Sequence, residues 1–184
     1  MIARIGVRGA LLVAVVATIG CDRVTKHIAA AALEGEPGRS YLADTIRLEY
    51  VENTGGFLSL GANLPSPART ALFTIGTGVM LLVLIGAAVR FRWHGWLLIG
   101  TSLVLAGGAS NWVDRLVRGS VVDFMNIGVG PLRTGIFNVA DMAIMGGVTV
   151  LLLAQRRQSH DARSSDERSG RLAQLHQTAD ERSR

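Results

Sequence analysis

Long apolar runs separated by short polar segments make up most of the chain before residue 155. Residues 70–90 are uncharged up to the final arginine, residues 95–113 carry no charge, and residues 135–154 contain one charged side chain, Asp141. A helix rises about 1.5 Å per residue, so each run reaches close to the roughly 30 Å thickness of a bilayer's hydrocarbon core. The pattern predicts a transmembrane helix over each of the three ranges.

The N-terminal apolar run is shorter and ends at charged residues. Residues 9–21 follow two arginines, as in the apolar region of a secretory signal, and the ending at Cys21 is similar to a lipoprotein cleavage site. However, Thr18 stands where such a signal usually has leucine, and three further apolar runs follow. We therefore predict a first helix over residues 8–32 whose outer part faces protein or water.

Four such helices make an all-α membrane protein with a membrane-embedded domain over residues 1–154. Cations in short loops mark the cytoplasmic side of a membrane. The arginines before residue 9, those at 90–92 and those at 156–157 fall on one side, so both termini are predicted to be cytoplasmic. Residues 41–59 alternate loosely between apolar and polar side chains, which indicates a small extracytoplasmic β-element.

Composition and charge narrow the class of protein further. The net charge of +5 at first suggests a nucleic-acid partner, but 49% of residues are hydrophobic and only 18% are charged. Of the 33 charged residues, 12 lie in residues 155–184, which we predict to be a polar, disordered cytoplasmic tail. One cysteine cannot form an internal disulfide, and four dispersed histidines argue against a zinc site. We expect no metal, no cofactor and no nucleic-acid partner.

Polar side chains at membrane depth are costly and therefore indicate functional positions. Four clusters of them occur in the chain, and the four-helix topology brings all four to the outer side of the membrane. Their sequences are DRVTK from residue 22, NTGGF from residue 53, NWVDR from residue 111 with VDF from residue 122, and FNVAD from residue 137. Such convergence predicts one site built from four regions.

Two acids in these clusters lack a neighbouring cation. Asp141 lies roughly two turns inside the predicted fourth helix, and Asp123 is flanked by valines and a phenylalanine. Two desolvated carboxyls brought together share a proton, so that one accepts a proton from water while the other donates to a carbonyl oxygen. This is aspartic protease chemistry. By contrast, Asp114 next to Arg115, and Asp22 beside Arg23 and Lys26, look like ion-paired structural acids.

Other interpretations of the same residues remain open. An intramembrane aspartate also serves in helix packing or in ion pathways, so a small proton-coupled transporter with an aspartate relay is the alternative function. A third is a scaffold anchored through a lipid on Cys21. The asparagines can hydrogen-bond neighbouring helices, and Gly107 with Gly108 favours close helix packing. The pair Gly55–Gly56 indicates a turn with positive φ or a close approach to a ligand.

These motifs resemble those of the lipoprotein signal peptidase (signal peptidase II) family. DRVTK is similar to the family's Asp-x-x-Thr-Lys element, and its Lys26 is the chain's only lysine. GGASNWVDRLVRGSVVDF resembles the Asn-x-x-Asp-Arg…Gly-x-Val-x-Asp-Phe block, and FNVAD matches Phe-Asn-x-Ala-Asp. The resemblance implies four transmembrane helices with a small periplasmic sheet and a site on the periplasmic side of the bacterial inner membrane.

By this resemblance, the catalytic pair is Asp123 and Asp141. The residues expected to bind substrate or support the site are Asp22, Lys26, Asn53, Gly55, Asn111, Asp114, Arg115 and Asn138. The implied reaction is cleavage of a prolipoprotein on the N-terminal side of its diacylglyceryl-modified cysteine. Membrane lipids and such prolipoproteins are therefore the expected partners.

The chain departs from the family pattern at two places. The family usually has Asn-x-Gly-Ala-Ala-Phe, whereas the run from Asn53 to Phe57 is one residue shorter before the aromatic. The glycine that usually precedes the asparagine of the second block is Ser110 here. Both departures concern pocket or packing positions rather than the two catalytic candidates.

Overall fold

The computed structural model describes residues 2–56, 60, 61 and 63–157, with the backbone alone for residues 2–8 and 10. It contains the four predicted helices, and each differs from its predicted range by a few residues at one or both ends. Their bounds are α1 Ile2–Leu33, α2 Ser66–Arg90, α3 Gly95–Arg118 and α4 Val139–Arg157. Residues 155–157, predicted as the start of the tail, continue α4, and the rest of the predicted tail lies outside the described residues.

Within the part of the chain that the structure describes, three helices, α2, α3 and α4, are long and apolar enough to cross a membrane. Most of the side chains of α2 and α4 are not buried by protein, as expected for surfaces that face lipid. Helix α3 is the most buried of the three and contacts both α1 and α2. A membrane crossing by α1 and the cytoplasmic position of the termini stay predictions.

Glycines allow α3 and α4 to pack backbone against backbone. A Cβ on Gly107 would collide with the carbonyl oxygen of Ala140, and one on Gly147 would lie 2.6 Å from the carbonyl oxygen of Gly100. Gly108 faces α2 instead, where a Cβ would lie 2.9 Å from Leu81 Cδ2. The predicted packing role of Gly107 and Gly108 is confirmed, and the close contact at Gly107 brings α3 against the first turn of α4.

Helix α2 contains a π-helical segment, Thr70–Gly76. The wider turn changes the local hydrogen-bond pattern, and the carbonyl of Thr74 accepts a 2.8 Å bond from the indole nitrogen of Trp112 on α3. The Trp112 ring also covers Gly78, where a Cβ would lie 2.9 Å from its nitrogen. The polar end of an otherwise apolar side chain thereby ties α2 to α3.

A four-stranded antiparallel sheet lies outside the helices, in the order β1-β2-β3-β4. The strands are β1 Arg39–Tyr41, β2 Ile46–Asn53, β3 Val121–Val129 and β4 Leu132–Arg133. The sheet predicted from residues 41–59 is confirmed, whereas β3 was not predicted because its buried residues do not alternate in polarity. Pairing of Val51 with Asp123 and of Asn53 with Val121 brings Asn53 beside Asp123 on one face of the sheet.

The sheet is attached to α1 by a small apolar core. Phe124 of β3 packs with Ala29 and Leu33 near the end of α1. Because successive side chains of a strand point to opposite faces, Phe124 anchors one face of β3 while Asp123 is turned to the other. Apolar packing on one side of the strand thus sets the position of the acid on the other side.

Candidate active site

Asp141 lies in the first turn of α4, where it forms a reciprocal cap with Asn138. The backbone nitrogen of Asp141 donates to Asn138 Oδ1 at 2.9 Å, and the backbone nitrogen of Asn138 donates to Asp141 Oδ2 at 3.2 Å. The prediction that Asp141 lies two turns inside the helix is wrong. Phe137 pairs with Met125 of the sheet, so the helix begins only after Asn138. The carboxylate consequently lies at the positive end of the helix dipole.

Asp123 is the third residue of β3 and is 2% exposed. Its Oδ2 accepts a 2.8 Å bond from the amide of Asn53, and its Oδ1 accepts a 2.6 Å bond from the amide of Asn138. Burial raises the pKa of Asp123 to about 6; hydrogen bonds from Asn53 and Asn138 oppose the rise, while the charge of Asp141 adds to it. The environment therefore favours a proton on this carboxyl at a pH where an ordinary aspartate is ionised.

The two acids are connected through asparagine amides. Asn138 caps the turn that contains Asp141 and also donates to Asp123. Asn111, on α3, donates from Nδ2 to Asp141 Oδ1 at 2.9 Å, and its Oδ1 accepts a 3.2 Å bond from the Asn138 amide. A neutral amide can hold a carboxyl in place without adding charge, so Asn111 and Asn138 fix the positions of both acids without an ion pair.

A buried ion network supports Asn111 from the side of α1. Lys26 Nζ contacts Asp22, Asp114 and Asn111 Oδ1, each at 2.7 Å. Asp22 is fully buried, and its Oδ1 accepts a 2.8 Å bond from the backbone nitrogen of Ala140. This carboxylate therefore satisfies one of the free N–H groups at the start of α4, one residue before Asp141.

The predicted ion pairs are confirmed in part. Asp22 pairs with Lys26, one helical turn away, as expected. The expected pair of Asp114 with Arg115 is wrong, because adjacent residues of a helix point in different directions, and Asp114 pairs with Arg23 and Lys26 of α1. Arg115 instead donates to the carbonyl oxygen of Gly55 at 2.6 Å.

The loop after β2 closes another side of the site. Asn53 accepts a 2.9 Å bond from the nitrogen of Gly55 and donates a 2.9 Å bond to the carbonyl oxygen of Gly56. Neither glycine has a positive φ. Gly56 instead lies against the ring of Phe73, where a Cβ would be 2.8 Å from Cε1, so this glycine allows the loop to approach α2 closely. Phe57, the aromatic of this motif, lies outside the described residues.

All ten predicted site residues thus fall in one connected network drawn from three helices, two strands and a loop. Two of its members were not predicted as site residues. Arg23 contacts Asp114, and Ser110 donates to Asp22 Oδ2 at 2.6 Å. The departure of Ser110 from the usual glycine is a signal in the sequence for its role, whereas the position of Arg23 next to Asp22 suggests a pair that the structure does not show.

Among the described residues, three apolar helices have membrane-spanning length, and two buried carboxyls with their asparagines lie at one end of the bundle. This combination defines a membrane protein with a buried polar site. A family model described as signal peptidase (SPase) II matches residues 14–156. A lipoprotein signal peptidase of Streptococcus pneumoniae is 30% identical over 155 residues, covering 82% of this chain and 95% of that protein. One of Sphingopyxis alaskensis is 35% identical over 159 residues, covering 78% and 86%. The chain belongs to the signal peptidase II family.

Solved structures show the same fold. A bacterial membrane enzyme determined by the in meso method at 2.3 Å superposes with a TM-score of 0.71, at 23% identity over 82% of this chain and 90% of that one. A second such enzyme, determined at 1.9 Å, gives a TM-score of 0.70 at 24% identity over 80% of this chain and 92% of that one. Family membership makes the chain a peptidase, and its apolar helices indicate a membrane protein.

Proposed function

We propose that the chain is an aspartic endopeptidase that removes signal peptides from prolipoproteins, cutting on the N-terminal side of a diacylglyceryl-modified cysteine. The observation that carries this proposal is the shared asparagine: Asn138 caps Asp141 and donates to Asp123 at 2.6 Å. Family membership supports the substrate class, because the similar proteins are named lipoprotein signal peptidases. It also favours a peptidase over the proton-coupled transporter.

In the proposed reaction, the two carboxyls share one proton and act on either side of the scissile peptide bond. The ionised carboxyl takes a proton from a water molecule while the water oxygen attacks the carbonyl carbon, and the protonated carboxyl gives its proton to the carbonyl oxygen. When the resulting diol collapses, one of its hydroxyl groups returns a proton to the second carboxyl and the C–N bond breaks. The leaving amine takes the proton that the first carboxyl received from water. Asn111 and Asn138 hold the acids in position throughout.

The position of the site suits a substrate that arrives through the membrane. Asp141 lies at the start of α4, which is one of the helices able to span a bilayer, and Asp123 lies in the sheet next to it. With α1 as a fourth span and both termini cytoplasmic, this end of the bundle lies at the extracytoplasmic surface of the inner membrane. Acyl chains on the substrate cysteine then remain in lipid while the peptide bond reaches the acids.

The test is cleavage of a lipidated prolipoprotein by the purified enzyme. Asp123→Asn and Asp141→Asn should each reduce cleavage below detection while the protein still inserts into the membrane. Glu36→Gln, which neutralises an exposed acid outside the network, should cleave like the wild type. Continued processing by both aspartate variants would refute the proposal, and substrate flux in vesicles without peptide cleavage would support the transporter instead.

A further inference from the structure

The buried lysine of the site uses all of its hydrogen-bonding capacity. Lys26 is 4% exposed, and its three N–H groups are taken up by Asp22, Asp114 and Asn111. Two carboxylates therefore face a single ammonium group. A buried charge without a counter-charge is strongly unfavourable, and one ammonium group cannot balance the charges of both carboxylates.

Arg23 supplies the second cation. Its Nη1 contacts Asp114 Oδ1, and its Nη2 donates to the carbonyl oxygen of Ser110 at 3.1 Å. Among these four side chains, the charges of two acids and two bases balance. The Arg23 side chain is 36% exposed, so it approaches the buried pair from the surface of the bundle.

Ser110 contacts the other carboxylate, that of Asp22, through a hydrogen bond. Its hydroxyl donates to Asp22 Oδ2 at 2.6 Å, the oxygen that also receives Lys26. Arg23 and Ser110 thus contact one acid each, and they contact one another through the Ser110 carbonyl. Neither side chain belongs to the motif positions that the family resemblance identifies, since Arg23 is an unspecified position and Ser110 replaces the usual glycine.

The consequence for the site passes through Asn111. Its Oδ1 accepts from Lys26 and Asn138, so its amide nitrogen must point the other way, toward Asp141 Oδ1 at 2.9 Å. We propose that Arg23, supported by Ser110, is a positioning residue for the acid pair: it balances the charge around Lys26 and so keeps Asn111 oriented toward Asp141. This inference rests on the proposed function of Asp123 and Asp141.

Loss of the guanidinium changes the position of Lys26. Without Arg23, Asp114 Oδ1 loses its partner, and Lys26, which already contacts Oδ2 at 2.7 Å, shifts toward Oδ1, which weakens its bond to Asn111. Small displacements of a positioned group lower the rate of reaction strongly. Because the effect of Arg23 reaches Asp141 only through Lys26 and Asn111, the change should appear in kcat and leave KM almost unaltered.

The experiment measures kcat and KM for a synthetic peptide that carries a diacylglyceryl-modified cysteine, per molecule of folded full-length enzyme. Arg23→Gln should lower kcat about tenfold with KM within about twofold. Arg23→Lys keeps the charge and should recover most of that loss. Arg39→Gln makes the same chemical change at an exposed arginine of β1 and should match the wild type. Ser110→Ala provides a second variant that removes only a hydroxyl and should lower kcat about threefold.

Two results separate the inference from the proposed function, and Asp141→Asn is measured alongside for this purpose. If Asp141→Asn is inactive while Arg23→Gln and Ser110→Ala both keep the wild-type kcat, the positioning role is refuted and the proposed function stands. If Asp141→Asn still cleaves, the proposed function fails and this inference fails with it. A loss of kcat in Arg23→Gln that Arg23→Lys does not recover also refutes the charge-balancing role.

Discussion

The amide nitrogen of Asn138 lies 2.6 Å from Asp123 Oδ1, so the residue that caps the helix of one acid also binds the other acid. Asn138 is fully buried, which keeps water from competing for either bond. A helix cap and a carboxyl contact therefore depend on a single side chain, and they can be separated by substitution.

Asn138→Ser tests this double role. A serine hydroxyl can accept the bond from the backbone nitrogen of Asp141 and preserve the cap, but it is too short to reach Asp123 in place of the amide. We expect the thermal midpoint to change by only a few degrees while kcat falls about 100-fold. Asn138→Ala should lose the cap as well, at a cost of about 1 kcal/mol. A large fall in the thermal midpoint of the serine variant, together with the fall in kcat, would contradict the prediction.

The raised pKa of Asp123, about 6, predicts how stability depends on pH. Between about pH 4 and 6 the folded protein binds this proton and the unfolded chain does not, so stability falls as pH rises through that range. The free energy of unfolding of the wild type, minus that of Asp123→Asn, should fall by an amount on the order of 2 kcal/mol from pH 4 to pH 7. Denaturant titrations in mixed micelles at several pH values measure it. A difference independent of pH would contradict the raised pKa.

Gly107→Ala should separate α3 from α4. The added Cβ meets the backbone carbonyl of Ala140, which cannot move without moving the start of α4. Overpacking of this kind costs about 1–3 kcal/mol, and it shifts Asn111, one turn along α3, away from Asp141. We expect both a lower thermal midpoint and a lower kcat. Gly146→Ala is the matched control, because a Cβ there has no neighbour within 4 Å.

Gly56→Ala should collide with the ring of Phe73, 2.8 Å from the added Cβ. The family usually has alanine after this motif's glycine, and here the Phe73 ring leaves no room for that methyl group. Displacement of the loop would weaken the bonds from Asn53, and we expect kcat to fall about tenfold. Combining Gly56→Ala with Phe73→Leu makes room for the methyl group and should restore most of the activity. Failure of the double variant to recover would show that the ring is not the obstacle.

Local sequence patterns predicted the helices and most of the site. An apolar run needs no distant partner to form a helix in a membrane, because all of its backbone hydrogen bonds are internal. The scarcity of charge before residue 155 made Asp123 and Asp141 conspicuous, and their lack of neighbouring cations separated them from Asp22 and Asp114. The same local signals failed at the start of α4, where an apolar run continues through residues that belong to the sheet connection.

The sequence by itself determined which segments are helical, which residue types gather at one end of them, and to which family the motifs are similar. Only the tertiary structure decided the partners: Asp114 with Arg23 rather than Arg115, Asn138 with Asp123, and Gly56 with Phe73. These contacts join residues between 15 and 91 positions apart. The physical reason is that helix formation is a property of neighbouring residues, whereas the direction of a side chain across a bundle depends on how the helices and the sheet pack together.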